Sequence, residues 1–263
     1  MSGSLGVEET LQPLVESAVS LQQVTKVFGA GQSLVIALEG IDLEVPTGRF
    51  TCLVGASGCG KSTLLSLVAG LEKPSAGSVT VAGRTALMFQ EAALFGWLTL
   101  QKNVELAIKL RGGSTRQERK SEAMELLELV RLADFAHHRP HEVSGGMRQR
   151  AALARSLAQK PDVLLMDEPF GALDAITRDL LHEELESIWR TQAMTVLFVT
   201  HNVREAVRLG DEVIVLSSRP GRVVERIAVD VERPRRIESA AVASVAATIS
   251  DRLREEVRRH GDH

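Results

Sequence analysis

The sequence predicts an α/β fold, a mainly parallel sheet covered by helices and interrupted by an all-helical insertion. Three observations carry this reading. Short apolar runs alternate with helix-forming segments, as in strands buried on both faces. Acids, a histidine and a glutamine fall at the carboxyl ends of those runs, where such sheets build their sites. Between about residues 96 and 158 the apolar spacing becomes helical. The 263 residues, 44% of them hydrophobic, suffice for a substantial core, and a net charge of −3 argues against a protein that coats nucleic acid. Cys52 and Cys59 lie in no disulfide or metal-ligand pattern, which fits a reducing setting.

Residues 1–19 are expected as a flexible lead-in without the basic start and apolar run of a secretion signal. No apolar stretch approaches the roughly 20 residues that cross a bilayer, so membrane association is expected through a partner. The ordered body is expected over residues 20–235. Leu21–Val27 reads as a strand, Gly29-Ala30-Gly31 as a turn, and Ile41–Val45 as a second strand. Pro46-Thr47-Gly48 turns the chain into the apolar run Phe50–Val54, and Ser62–Ala69 is helix-forming, ended by Gly70. Gly77–Val81 and Ala86–Phe89 read as strands, the second ending at Gln90. In the insertion, residues 98–110 and 116–132 have helical spacing, joined through Gly112-Gly113-Ser114. Ala123, Leu126, Leu127 and Val130 form one face of the second helix, and Thr115 with Glu118 makes a capping box.

A helix then opens at Ser144-Gly145-Gly146 and ends at Lys160-Pro161. Val163–Met166 is a buried-strand run that delivers Asp167 and Glu168. Helix Ala175–Arg190 and strand Thr195–Val199 follow, the latter delivering Thr200 and His201. Helix Val203–Leu209 and strands Val213–Leu216 and Val223–Val229 complete the alternation, which argues for a parallel, helix-covered sheet. Over residues 236–263, Val242, Val245, Ala246, Ile249, Leu253 and Val257 keep helical register opposite arginines and glutamates. The mixed charges of this amphipathic helix favour docking on the protein or a partner over a membrane surface.

The run Gly55-Ala56-Ser57-Gly58-Cys59-Gly60-Lys61-Ser62-Thr63 sits between a strand and a helix, the context that makes a glycine-rich loop a Walker A phosphate cradle. Glycines let successive N–H groups point at phosphate oxygens, and the helix start adds positive potential. Lys61 is expected to reach the β- and γ-phosphates, and the Ser62 hydroxyl to ligate Mg²⁺. Asp167 is placed to hold Mg²⁺ and Glu168 to polarise an attacking water. Gln90 and His201, each weak alone, share the carboxyl edge of the sheet, with glutamine suited to Mg²⁺ or the water and histidine to the γ-phosphate. Ser144-Gly145-Gly146 is a second helix N-terminus suited to an anion, and spacing leaves open whether it meets the first site within one molecule. Phe28 suits adenine stacking, but position alone favours a core-edge role.

The ordered set resembles the nucleotide-binding subunit of ABC transporters over residues 20 to 235. Gly55 to Ser62 matches Walker A, Gln90 the Q-loop, Ser144-Gly145-Gly146-Met147-Arg148-Gln149 the signature, Val163 to Glu168 Walker B, Ala172-Leu173-Asp174 the D-loop and His201 the H-loop. Val143 and Met147 stand where leucine and glutamine are common. The resemblance implies a RecA-like P-loop NTPase core with an N-terminal antiparallel β region, and it moves Phe28 to the adenine. It implies ATP and Mg²⁺ as ligands, with Asp174 also near the nucleotide. It further implies a homodimer in which Ser144, Gly145 and Gly146 act in trans, and integral membrane permease partners with, indirectly, a solute-binding protein. No nucleic-acid partner is implied, and the location is the cytoplasmic face of the inner membrane. Residues 89–99, 167–174 and 217–222 are similar to the importer branch for nitrate, sulfonates and taurine. Phe95 and Trp97 fit two readings, a permease contact or burial in the insertion. Tandem cassettes, coiled coils or zinc cysteines would mark a DNA-repair or translation ATPase. A P-loop kinase would need neither the Ser-Gly-Gly nor Glu168.

Overall fold

A computed structural model describes residues 16–29, 33–171 and 173–260. Two sheets form the body. A three-stranded antiparallel sheet, ordered β2-β1-β4, contains β1 (Ser17–Phe28), β2 (Val35–Pro46) and β4 (Ala76–Val81). The six-stranded sheet, ordered β5-β6-β7-β3-β8-β9, contains β3 (Phe50–Val54), β5 (Thr85–Met88), β6 (Val163–Asp167), β7 (Thr195–Val199), β8 (Glu212–Leu216) and β9 (Val223–Ala228). β3 is buried along its whole length, flanked in parallel by β7 and β8. Its continuous apolar run has that cause, since both faces are covered.

Three expectations are corrected. β9 pairs antiparallel with β8, because residues 217–222 form a tight turn in which Ser217 N–H donates to the Arg222 carbonyl at 2.9 Å. A parallel return needs a crossover of a dozen or more residues. β1 begins at Ser17, inside the stretch expected as lead-in, since Ala18 and Val19 are buried and Val19 pairs Val81 of β4. β2 starts at Val35, earlier than Ile41. Residues 1–15 of the lead-in, Ala30 and Gly31 of the turn, and Ala172 lie outside the described residues.

The helices are α1 (Lys61–Val68), α2 (Leu100–Arg111), α3 (Arg116–Leu129), α4 (Gly145–Leu157), α5 (Ala175–Gln192), α6 (Val203–Leu209) and α7 (Ala240–His260). α3 starts on the expected capping box, with Thr115 accepting from Glu118 N–H and Glu118 reaching back to Thr115 N–H. α2, α3 and α4 form the helical insertion, and their buried residues share one core with β6 and β7. Ala151, Ala152, Ala154 and Ala158 carry that continuity, since their small side chains let α4 approach the sheet closely. Fully burying one leucine or valine of such a core contributes about 1.5–3 kcal/mol. α7 buries Val242, Ala246 and Ile249 in the same core.

Candidate functional site

The loop from β3 to α1 holds Gly55, Ser57, Gly58, Cys59 and Gly60, with Lys61, Ser62 and Thr63 in the first turn of α1. Gly60 caps α1 at φ +103°, a left-handed conformation, and a Cβ there would stand 2.6 Å from Leu38 Cδ2 and 2.9 Å from the Ala37 carbonyl oxygen. Only glycine meets both demands. A Cβ on Gly55 would stand 2.6 Å from Cys59 Sγ. The loop is therefore a close-walled cradle of backbone, the form that holds phosphate. Lys61 is nearly buried, and its ammonium donates to the carbonyls of Gly55 at 3.0 Å and Ala56 at 2.9 Å. Burial raises the Cys59 thiol above its ordinary range although Lys61 opposes that, so Cys59 packs the loop as an uncharged thiol.

Beside the loop, Asp167 at the end of β6 lies next to the Ser62 side chain. Burial raises the Asp167 pKa above its ordinary value, and the Glu168 charge adds to that, against Ser62 and Lys61. A carboxylate short of counter-charge beside a hydroxyl is an oxygen donor pair that fits a hard dication such as Mg²⁺. Glu168 lies just past β6 with φ +42°, a left-handed backbone conformation. Its Oε2 lies 2.8 Å from Nδ1 of His201, at the end of β7. A Cβ on Gly171 would lie 3.8 Å from both that Glu168 oxygen and His201 Cε1, in ordinary van der Waals contact, so Gly171 borders the pair. His201 shares a cavity of about 430 Å³ with Gly55, Ala56 and Ser57.

The second anion-binding candidate stands elsewhere. Ser144 caps α4, its hydroxyl accepting from Met147 N–H at 3.2 Å. Gly145 lines a different cavity, of about 500 Å³, with Gln90. Gln149 of α4 donates to the Gln90 carbonyl at 2.8 Å, and Arg155 of α4 donates to the carbonyls of Ala92 and Ala93 at 3.0 and 2.6 Å. One helix thus fastens the chain that leads to Phe95 and Trp97. Those two rings pack at a tilt of 51° with centroids 5.3 Å apart, and Trp97 is 73% exposed, which removes the buried reading. Phe89, Phe95 and Leu110 line an adjoining groove of about 720 Å³. Asp174 caps α5, accepting from Thr177 N–H. Phe28 ends β1, exposed, with the Lys26 ammonium 4.8 Å from its ring centroid.

Sequence reasoning missed two supports. Arg219 Nε donates to the Gly58 carbonyl at 3.2 Å, and Gly221 approaches so closely that a Cβ there would lie 2.1 Å from the Cys59 carbonyl oxygen. The Ser-Arg-Pro-Gly turn was visible as a phrase, but nothing local tells that it braces a loop 161 residues away. The other is a buried relay in which His182 Nε2 meets Glu205 at 2.6 Å and the Thr200 hydroxyl donates to the second oxygen of Glu205.

The family model described as ABC transporter matches residues 38–171. The chain belongs to the ABC transporter family. It is 46% identical to the aliphatic sulfonates import ATP-binding protein of Mesorhizobium japonicum, over 90% of this chain and 88% of that protein. It is 44% identical to the nitrate import ATP-binding protein of Synechocystis, over 81% and 83%. An ATP-binding cassette solved as a dimer in a post-hydrolysis state with ADP and phosphate superposes with a TM-score of 0.74 at 32% identity, covering 81% of this chain and 100% of that one. The protein is an ATPase of the ABC family with a P-loop α/β fold. Among the described residues no helix is long and apolar enough to cross a membrane.

Proposed function

We propose that this ATPase energises an importer of small anions of the sulfonate, taurine or nitrate class. It would work as a homodimer on the cytoplasmic face of the inner membrane, bound to permease subunits that a solute-binding protein supplies. The observation that carries the catalytic part is the 2.8 Å bond between Glu168 and His201 beside the phosphate loop. In this reading the N–H groups of Gly58, Cys59 and Gly60, with Lys61, Ser62 and Thr63, grip the phosphates, Ser57 lies at their outer edge, and Phe28 stacks on the base. Mg²⁺, held by Ser62, Asp167 and Gln90, would neutralise charge on the β- and γ-phosphates. Glu168 orients and deprotonates the attacking water while His201 holds Glu168 in place and donates toward the γ-phosphate. Ser144, Gly145 and Gly146 of the second copy close over the same phosphate, with Asp174 nearby. The dimer in which a related ATP-binding cassette was solved with ADP and phosphate supports the two-copy reading.

Transmission follows from α4. Its N-terminus would feel the partner's nucleotide, and Gln149 and Arg155 tie the same helix to Gln90–Ala93, next to the groove and rings offered to the permease. The identities to the sulfonate and nitrate import proteins support the solute class through ancestry. Glu168→Gln tests the centre. It should bind MgATP, lose turnover by about 10²–10⁴-fold and accumulate as a dimer, read by phosphate release and light scattering. Turnover near the wild-type rate would remove Glu168 as the base.

A further inference from the structure

The last turns of α7 stand over the phosphate loop. Leu253, Arg254, Val257 and Arg258 share the 430 Å³ cavity with the start of that loop and His201. α7 is fastened to the core as far as Leu253, which packs partly against it, and Arg252 pairs with Glu225 of β9, but the face formed by Arg254, Val257 and Arg258 stays open. Val257 is 48% exposed, Arg254 bonds only to the exposed Asp251 of its own helix, and Arg258 makes no ion pair among the described residues.

A matching surface lies beside the signature. A Cβ on Gly146 would stand 2.6 Å from Thr177 Cγ2, so the start of α4 rests on the first turn of α5. From there α5 presents Ile176, Asp179, Leu180 and Glu183 at helical spacing on one face. Ile176 is 77% and Leu180 42% exposed, an apolar pair flanked by acids. If the phosphate loop of one copy faces Ser144–Gly146 of another, two-fold symmetry brings the first turns of that copy's α5 beside the loop, where α7 ends.

We propose that the end of α7 docks on α5 of a second copy, with Leu253 and Val257 against Ile176 and Leu180, and Arg254 and Arg258 against Asp179 and Glu183. The C-terminal helix then fastens the nucleotide-bound dimer from outside the phosphate site. A second copy is the occupant because the two faces of this chain match in apolar spacing and in charge, and because α7 shares its cavity with the loop that the second copy would cover. The inference rests on the dimer reading above.

The test uses full-length Glu168→Gln protein with MgATP, whose dimerisation is measured by sedimentation. Adding Arg254→Glu and Arg258→Glu should weaken the dimer about tenfold, equivalent to roughly 1.4 kcal/mol, and Asp179→Arg with Glu183→Arg should restore it. Independently, Ile176→Cys with Val257→Cys should give a disulfide-linked dimer under mild oxidation only with MgATP, since native Cys52 and Cys59 are buried. Dimers of unchanged or greater strength in the charge-reversed protein, without intermolecular crosslink, would overturn the inference alone. Glu168→Gln protein that stays monomeric with MgATP removes the dimer reading and this inference with it.

Discussion

At the scale of single residues, the site depends on groups that hold the reacting ones in place. His182 and Glu205 are both buried, and Glu205 joins His182 to Thr200, the residue before His201. Phe170, two residues after Glu168, packs its ring edge against His182 at 5.4 Å. His182 therefore braces both the strand end that carries His201 and the segment that carries Glu168. His182→Ala should cost on the order of 1–3 kcal/mol, because it strips a buried carboxylate of a partner, and should lower kcat more than it alters the KM for ATP. His182→Gln, which can still donate to Glu205, should recover much of both losses in thermal unfolding and steady-state ATPase assays. The residues proposed to react are marked in the sequence because loop, lysine, serine and paired acids obey short spacings. Glu205 and Arg219 are not, since their partners lie in other elements and local pattern does not encode them.

At the scale of elements, strands and helices followed from apolar period and caps. The differences arose where pairing decides, as at β9, whose run looks the same parallel or antiparallel until the six-residue turn before it is weighed. Phe95 and Trp97 show the same limit, because core and docking patches have the same composition. Their exposure comes from how Asn103 holds the segment, taking Phe95 N–H at 2.8 Å and donating to the carbonyls of Phe95 and Thr99. With 73% of Trp97 in solvent, Trp97→Ala should change stability by no more than about 0.5 kcal/mol. It should nevertheless reduce co-purification with the membrane subunits. Unchanged assembly and transport would place the permease contact elsewhere.

At the scale of the whole molecule, the sequence contains what we propose to be both halves of a nucleotide site, and spacing alone does not say whether two copies share it. Mixing Lys61→Ala protein with Ser144→Arg protein tests this directly, because the heterodimer retains one intact pairing of phosphate loop and signature. Its ATPase activity should reach up to roughly half the wild-type rate per dimer, with each homodimer inactive. No recovery in isolated heterodimers would place the signature's action within one chain. The position of β3 has a further consequence, for the order in which the protein is made. Among the described residues the strand that carries the phosphate loop pairs only with β7 and β8, and Arg219 and Gly221 brace the loop from beyond them. A nascent chain therefore holds the strand of its nucleotide motif unpaired until β7, residues 195–199, has followed it, and the pairing is complete only with β8, residues 212–216.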